Sequence, residues 1–275
     1  MTTSAPGSGA SVRTLDDPLA EALRIVDLAS ARSLLIRLMG GLAFHAQAPS
    51  WTARVSRDGR DIDLATRGAD RKGVAELLAE EGYTPDRQYN ALYGHKQLYF
   101  VDEAHGRPVD VLVDRLEMCH TFEFRDRLAA ASPTLPLAEL LLSKLQVVKI
   151  TRKDVLDALI LLAEHPLADG DGAPDVRDGA ATISTRRVAG LAGADWGWWR
   201  TITGNLDKLR EFGSTELAAG DLDTGRPLRE DPLAQLDRLQ AAIDGAPKST
   251  RWRLRARVGD RVPWYQEPEE IGHGR

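Results

Sequence analysis

The segment Asp61-Ile62-Asp63-Leu64-Ala65-Thr66 alternates polar with apolar residues, which is the period of a half-buried strand. Residues two apart in a strand point the same way. Asp61 and Asp63 therefore present two carboxylates on one face, while Ile62 and Leu64 enter a core. Side-by-side carboxylates repel and desolvate one another, and a divalent cation between them relieves both costs. Val109-Asp110-Val111 repeats the pattern on a later strand. If the two strands are neighbours, Asp61, Asp63 and Asp110 converge. That oxygen-only set suits Mg²⁺ or Mn²⁺, which keep waters for a nucleotide's phosphates to displace. Two such ions clamp the attacking and leaving oxygens of an in-line displacement.

The surrounding pattern places these residues. Leu19, Leu23 and Val26 recur at helical spacing between Pro18 and about Ser30. Leu34 to Met39 is a short apolar run ending in Gly40-Gly41, read as a buried strand and a tight turn. Leu42 to Ala48 is a short helix beyond it. Glycine lets backbone N–H groups approach a phosphate closely, and a following helix points its positive end at the same anion. Alone, Gly-Gly reads more readily as a plain turn, and Asp-x-Asp as a solvated strand end. The order of strand, Gly-Gly, helix, Asp-x-Asp strand and later lone-Asp strand is more specific. Val74 to Glu81 reads as a helix capped by Gly82. Tyr93 to Val101 and Val109 to Val113 read as strands joined by a hairpin over Asp102 to Arg107.

Beyond His120 the texture turns helical. Leu137, Leu140, Leu141, Leu145 and Val148 mark one helix face, and Val155, Ala158, Leu159 and Leu162 another. Trp198 to Phe212 and Pro232 to Ala246 follow, after a Gly- and Asp-rich loop from about residue 167. The expected organisation is a disordered leader over 1–17, an α/β core with a mixed sheet over 18–120, and a helical C-terminal domain over 121–275.

Apolar residues make up 43% of the chain, enough for a core, and no apolar run approaches the ~20 residues of a membrane helix. The first residues lack a secretory h-region and the single Cys119 cannot form an internal disulfide, so a cytoplasmic location is expected. The net charge of −5 argues against blanket nucleic-acid binding. A local basic strip nevertheless runs through Lys248, Arg251, Arg253, Arg255, Arg257 and Arg261, with Trp252 inside it. Its alternation suits an edge strand with one solvated face better than a grip on single-stranded RNA. Trp196, Trp198 and Trp199 read as core anchors. Read from the residues alone, Lys144 either snorkels from an apolar helix face or reaches a phosphate. Asp154 and Asp157 share a helix face, and Arg57 is a loop charge or a phosphate contact.

Gly40-Gly41-Leu42-Ala43, Arg57 followed by Asp61-Ile62-Asp63-Leu64, and Val109-Asp110-Val111-Leu112 together resemble the nucleotidyltransferase superfamily of DNA polymerase beta type. More narrowly they resemble the AbiEii-type nucleotidyltransferases, which include toxins of bacterial toxin–antitoxin pairs. Leu140-Leu141-Leu142-Ser143-Lys144-Leu145-Gln146 and Arg152-Lys153-Asp154-Val155-Leu156-Asp157 match as well, so the resemblance spans roughly 34 to 165. It implies transfer of an NMP from an NTP to an acceptor hydroxyl, with Asp61, Asp63 and Asp110 on the metal and Gly40-Gly41 seating the triphosphate. It also implies that Lys144 and the segment of Asp154 and Asp157 belong to the site. RNA (tRNA) or protein acceptors and an antitoxin partner follow from its toxin members. Two other readings stand beside this one: an aminoglycoside-like small-molecule nucleotidyltransferase, and a non-catalytic member that only binds a nucleotide or partner. Many relatives carry Gly-Ser at the turn, where this chain has Gly-Gly.

Overall fold

A computed structural model describes residues 14–49, 61–169, 181–219 and 228–267. Its centre is a five-stranded mixed sheet of β1 (Ile36–Met39), β2 (Ile62–Thr66), β3 (Thr84–Pro85), β4 (Gln97–Asp102) and β5 (Arg107–Val113). The spatial order is β1-β2-β5-β4-β3. β2 and β5 run parallel, and the other neighbours pair antiparallel. Burial alternates residue by residue along β4 and β5, as a sheet with one covered face requires. The strands expected within Leu34–Met39 and Asp61–Thr66 are present but begin at Ile36 and Ile62, which leaves Asp61 just outside its strand. Val109–Val113 lies within β5, and the hairpin after Asp102 is present.

Helices α1 (Pro18–Ala31), α2 (Gly40–Gln47), α3 (Arg71–Glu80) and α4 (Arg87–Tyr93) accompany the sheet. Asp17 caps α1 by accepting from the Ala20 amide, and Pro18 opens its first turn. Gly82 follows α3 with φ +98, the left-handed stop expected there. The strand expected from Tyr93 is corrected, because Tyr93 ends α4 and β4 begins only at Gln97. Asp86 caps that short helix at the Tyr89 amide, and Tyr89 packs at a tilt against Tyr93 one turn later with centroids 5.0 Å apart. Tyrosines that suggest a strand by propensity here make an i,i+4 pair on a helix.

The rest is helical: α5 (Leu137–Leu145), α6 (Arg152–Glu164), α7 (Thr185–Ala194), α8 (Trp196–Ala219), α9 (Pro232–Gly245) and α10 (Thr250–Ala256). Thr151 and Asp154 form a reciprocal capping box that starts α6. The expected boundary near residue 120 falls inside a hairpin of β6 (Arg115–Glu117) and β7 (Thr121–Glu123). Buried apolar side chains from the sheet (Leu38, Leu64) and from the helices (Leu141, Leu159, Leu206) belong to one cluster. Leu167-Ala168, expected in a loop, pairs with Ile183-Ser184 as the short ribbon β8–β9. The edge strand expected over Arg251–Arg255 is also corrected. Ser249 accepts from the Trp252 amide at 2.9 Å, and the segment winds into α10. Among the described residues no helix is long and apolar enough to cross a membrane.

Candidate active site

The β1–α2 turn is built for the residue beside it. Gly40 has φ +63, and a Cβ placed there would sit 1.9 Å from Asp63 Oδ2. Only glycine meets both demands. The β2–β5 register sets Asp63 directly opposite Asp110, and Met39 opposite Asp63 on the other side. Asp61 stands exposed just ahead of β2. Asp63 is half-buried, and its carboxyl is pushed up to about 7. Burial is the largest cause, followed by the charges of Asp110 and Asp61, while Lys144 and Lys153 pull the other way. A group so perturbed by a named set of charges on one sheet face is a candidate for function.

Lys144, Asp154 and Asp157 are also brought together. Lys144 Nζ lies 2.8 Å from Asp154 Oδ1 and 3.1 Å from Asp157 Oδ2, above the buried Phe44 ring at 5.4 Å. Burial works to raise the Asp154 carboxyl, but Lys144 and the Thr151 hydrogen bonds outweigh it and hold it below the usual range. Asp157 is fully buried. Lys144 thus ties α5 to α6 while its charge acts on Asp63, so it is neither a free snorkelling lysine nor a cation without partners. Gly41 continues α2 from Gly40. Arg57 lies outside the described residues.

The sequence reading missed four side chains around the carboxylates. Gln97 Nε2 donates to Asp110 Oδ1, and the Tyr89 hydroxyl donates to Gln97 Oε1 at 3.0 Å. Tyr99 faces Asp110 across the β4–β5 pair. Burial first, then the charges of Asp110, Asp61 and Asp86, push its phenol up. Lys153 is exposed at the start of α6, and its charge reaches Asp63. Two signals were available. Gln97 and Tyr99 alternate along a strand that must flank Asp110 if it pairs with β5, and Lys153 adjoins Asp154.

The basic tail segment is partly committed to the fold. Arg255 lies over the Trp196 ring at 4.7 Å and donates to the carbonyls of Gly259 at 2.7 Å and Val262 at 2.6 Å. Arg251 approaches Asp195 at 3.7 Å. Trp196 and Trp198 are buried anchors, as expected. A cavity of about 1000 Å³ beside them is lined by Asp195, Trp196, Arg251, Arg255 and Trp264.

The donor chemistry of the acidic face fits a hard divalent cation. It offers only oxygens, and like charges gathered under burial are what a cation relieves. Among the described residues no group of three His, Cys, Asp or Glu side chains is drawn together tightly enough to hold an ion. The set as it stands is two opposed carboxylates with a third at the strand's entrance.

No family model matches this sequence. No curated protein matches it either. Among solved structures, one similar chain is a lincosamide antibiotic adenylyltransferase, LnuA, bound to lincomycin. It is 16% identical, with a TM-score of 0.37, covering 54% of this chain and 96% of that one. Another is the antibiotic-resistance factor ANT(2'')-Ia, 14% identical, with a TM-score of 0.35, covering 54% of this chain and 84% of that one.

Proposed function

We propose that this chain is a metal-dependent nucleotidyltransferase, moving an NMP from an NTP to an acceptor hydroxyl. The observation that carries the reading is the opposition of Asp63 and Asp110 on parallel neighbours, packed against a left-handed Gly40. Asp61, Asp63 and Asp110 are the residues to hold Mg²⁺ or Mn²⁺. The ion would neutralise charge developing on the phosphoryl oxygens. Gly40 and Gly41 open α2 toward the same face, where backbone N–H groups suit a phosphate. Lys144 contributes positive charge beside Asp63 and is itself held by Asp154 and Asp157. Asp110, on its own strand, is the carboxylate to polarise the acceptor hydroxyl. The acceptor oxygen bonds to the α-phosphorus while its proton passes to Asp110, the bond from the α-phosphorus to the α–β bridging oxygen breaks, and pyrophosphate leaves with that oxygen.

A small hydroxylated acceptor with a cationic group is favoured by what surrounds Asp110. Tyr99 faces Asp110 there, and Asp86, whose amide bonds the Tyr99 carbonyl, adds a carboxylate on that side. An RNA acceptor, as in a toxin, rests instead on the exposed Arg251, Arg253 and Arg257. An antitoxin would belong to that second reading.

The test is transfer of label from α-labelled NTPs with Mg²⁺, offered amino-sugar compounds, total tRNA and a protein extract in parallel. Wild type should label one class. Asp63→Asn should reduce that labelling about 1000-fold, the several kcal/mol a positioned metal contributes. No labelling of any class, or equal labelling by the variant, would refute the reading.

A further inference from the structure

Strand β5 presents Asp110 to the acidic face, and strand β4 supplies what stands next to it. In their register Tyr99 is opposite Asp110 and Gln97 is opposite Leu112. Gln97 is therefore the diagonal neighbour of Asp110 on the same face, a span that a long side chain crosses. Its amide does cross it, since Nε2 donates to Asp110 Oδ1. Its other end, Oε1, accepts the hydroxyl proton of Tyr89 at 3.0 Å. The direction of this chain of bonds is fixed by charge. Turning the amide over would set a carbonyl oxygen against a carboxylate, which can only accept, whereas the Tyr89 hydroxyl can take either role.

Tyr89 is itself held in place. It is buried on α4, which β4 grips by its backbone. The Tyr99 amide donates to Asn90 Oδ1 at 2.7 Å, and Asn90 Nδ2 returns a bond to the Tyr99 carbonyl at 3.1 Å. The Asp86 amide donates to that same carbonyl at 3.1 Å, while the Asp86 side chain caps the helix at the Tyr89 amide at 2.9 Å. The start of α4 is thus bonded at several points to one residue of β4, and the ring that α4 carries reaches back through Gln97 to Asp110.

We propose that Tyr89 and Gln97 are positioning residues that hold Asp110 in the orientation a divalent cation requires. The proposal rests on the metal-dependent reading above. Groups that hydrogen-bond a metal-ligating carboxylate orient it, and their loss typically weakens metal binding about 10- to 100-fold. The two residues act in series, because Tyr89 touches Asp110 through the amide it aligns. Their effects should therefore be non-additive.

Mn²⁺ binding to the full chain, without nucleotide, reads this directly by water-proton relaxation and by the spectrum of the free ion. Wild type should bind Mn²⁺, and Asp63→Asn should lose it. Gln97→Leu should bind it about 10- to 100-fold more weakly. Tyr89→Phe keeps the ring, and it should weaken binding by a smaller factor. The double variant should be no weaker than Gln97→Leu alone. Gln88→Ala, exposed on the same helix, should match wild type. Melting curves without metal show whether each variant folds. If Gln97→Leu does not, Tyr89→Phe decides. Wild-type or tighter Mn²⁺ binding by Gln97→Leu and Tyr89→Phe, with Asp63→Asn still deficient, would overturn the relay and leave the metal site standing. No Mn²⁺ binding by wild type would overturn both.

Discussion

The acidic sheet face and the basic C-terminal segment concentrate charge in opposite ways. On the sheet, Asp63 stands opposite Asp110, with Asp61 just ahead of the strand, and Asp63 is pushed up to about 7 by burial and by the charges of the other two. In the tail, Arg255 is paired with carbonyls and a tryptophan face, Arg251 approaches Asp195, and Arg200 pairs with Asp260 at 3.2 Å. Charges that a fold neutralises locally serve that fold. Charges it collects against the Coulomb cost mark a candidate site.

The largest effect should come from the residue that joins the acidic face to the helices. Lys144→Ala removes a cation from a fully buried Asp157. It should cost about 3 kcal/mol of stability in denaturant melts. Adding Asp157→Asn should restore part of that loss. A variant as stable as wild type would mean that Lys144 serves only a ligand.

Arg255→Ala comes next. It removes carbonyl hydrogen bonds and the stacking on Trp196, and should cost about 1–2 kcal/mol without changing metal binding. If it left stability intact but weakened RNA binding, the contrast between the two regions would fail.

Asp63→Asn tests the opposite kind of charge. Its folded carboxyl lies above the ordinary aspartate value of 3.8. Its stabilising contribution is therefore full below that unfolded value and lost as pH rises through about 7. Without metal, Asp63→Asn should melt a few degrees above wild type at about pH 8, with the gap closing toward about pH 4. A gap that widens in acid would show that repulsion does not dominate at Asp63.

The smallest effect belongs to Arg253→Gln with Arg257→Gln, both exposed. Stability should stay within about 0.5 kcal/mol. Filter binding of tRNA across a salt series then isolates the acceptor question. A slope flatter by about 0.7 for each phosphate no longer neutralised supports RNA, and superimposable curves leave the small hydroxylated acceptor.

The tail shows where sequence reading failed. Arg251-Trp252-Arg253-Leu254-Arg255 alternates like a strand, yet Ser249 caps it as a helix, and α10 packs beside α8. Over so few residues, period two and period 3.6 differ by little, and a cap settles what alternation leaves open. Tyr93 failed for a related reason, since its partner Tyr89 lies one helical turn back rather than on a neighbouring strand.

By itself the sequence determined the frame: the strands around Asp63 and Asp110, the Gly40 turn and the helical second half. Those follow from local alternation and from single residues with narrow conformational needs. Tertiary structure alone decided that β2 and β5 are parallel neighbours, so that Asp63 faces Asp110 across 47 residues of chain. It alone set Gln97 and Tyr89 behind Asp110, and made Lys144 the counter-ion of Asp154 and Asp157. The physical reason is that strand order and side-chain pairing are long-range choices. They are made by which apolar faces bury together, and no local period in the chain records them.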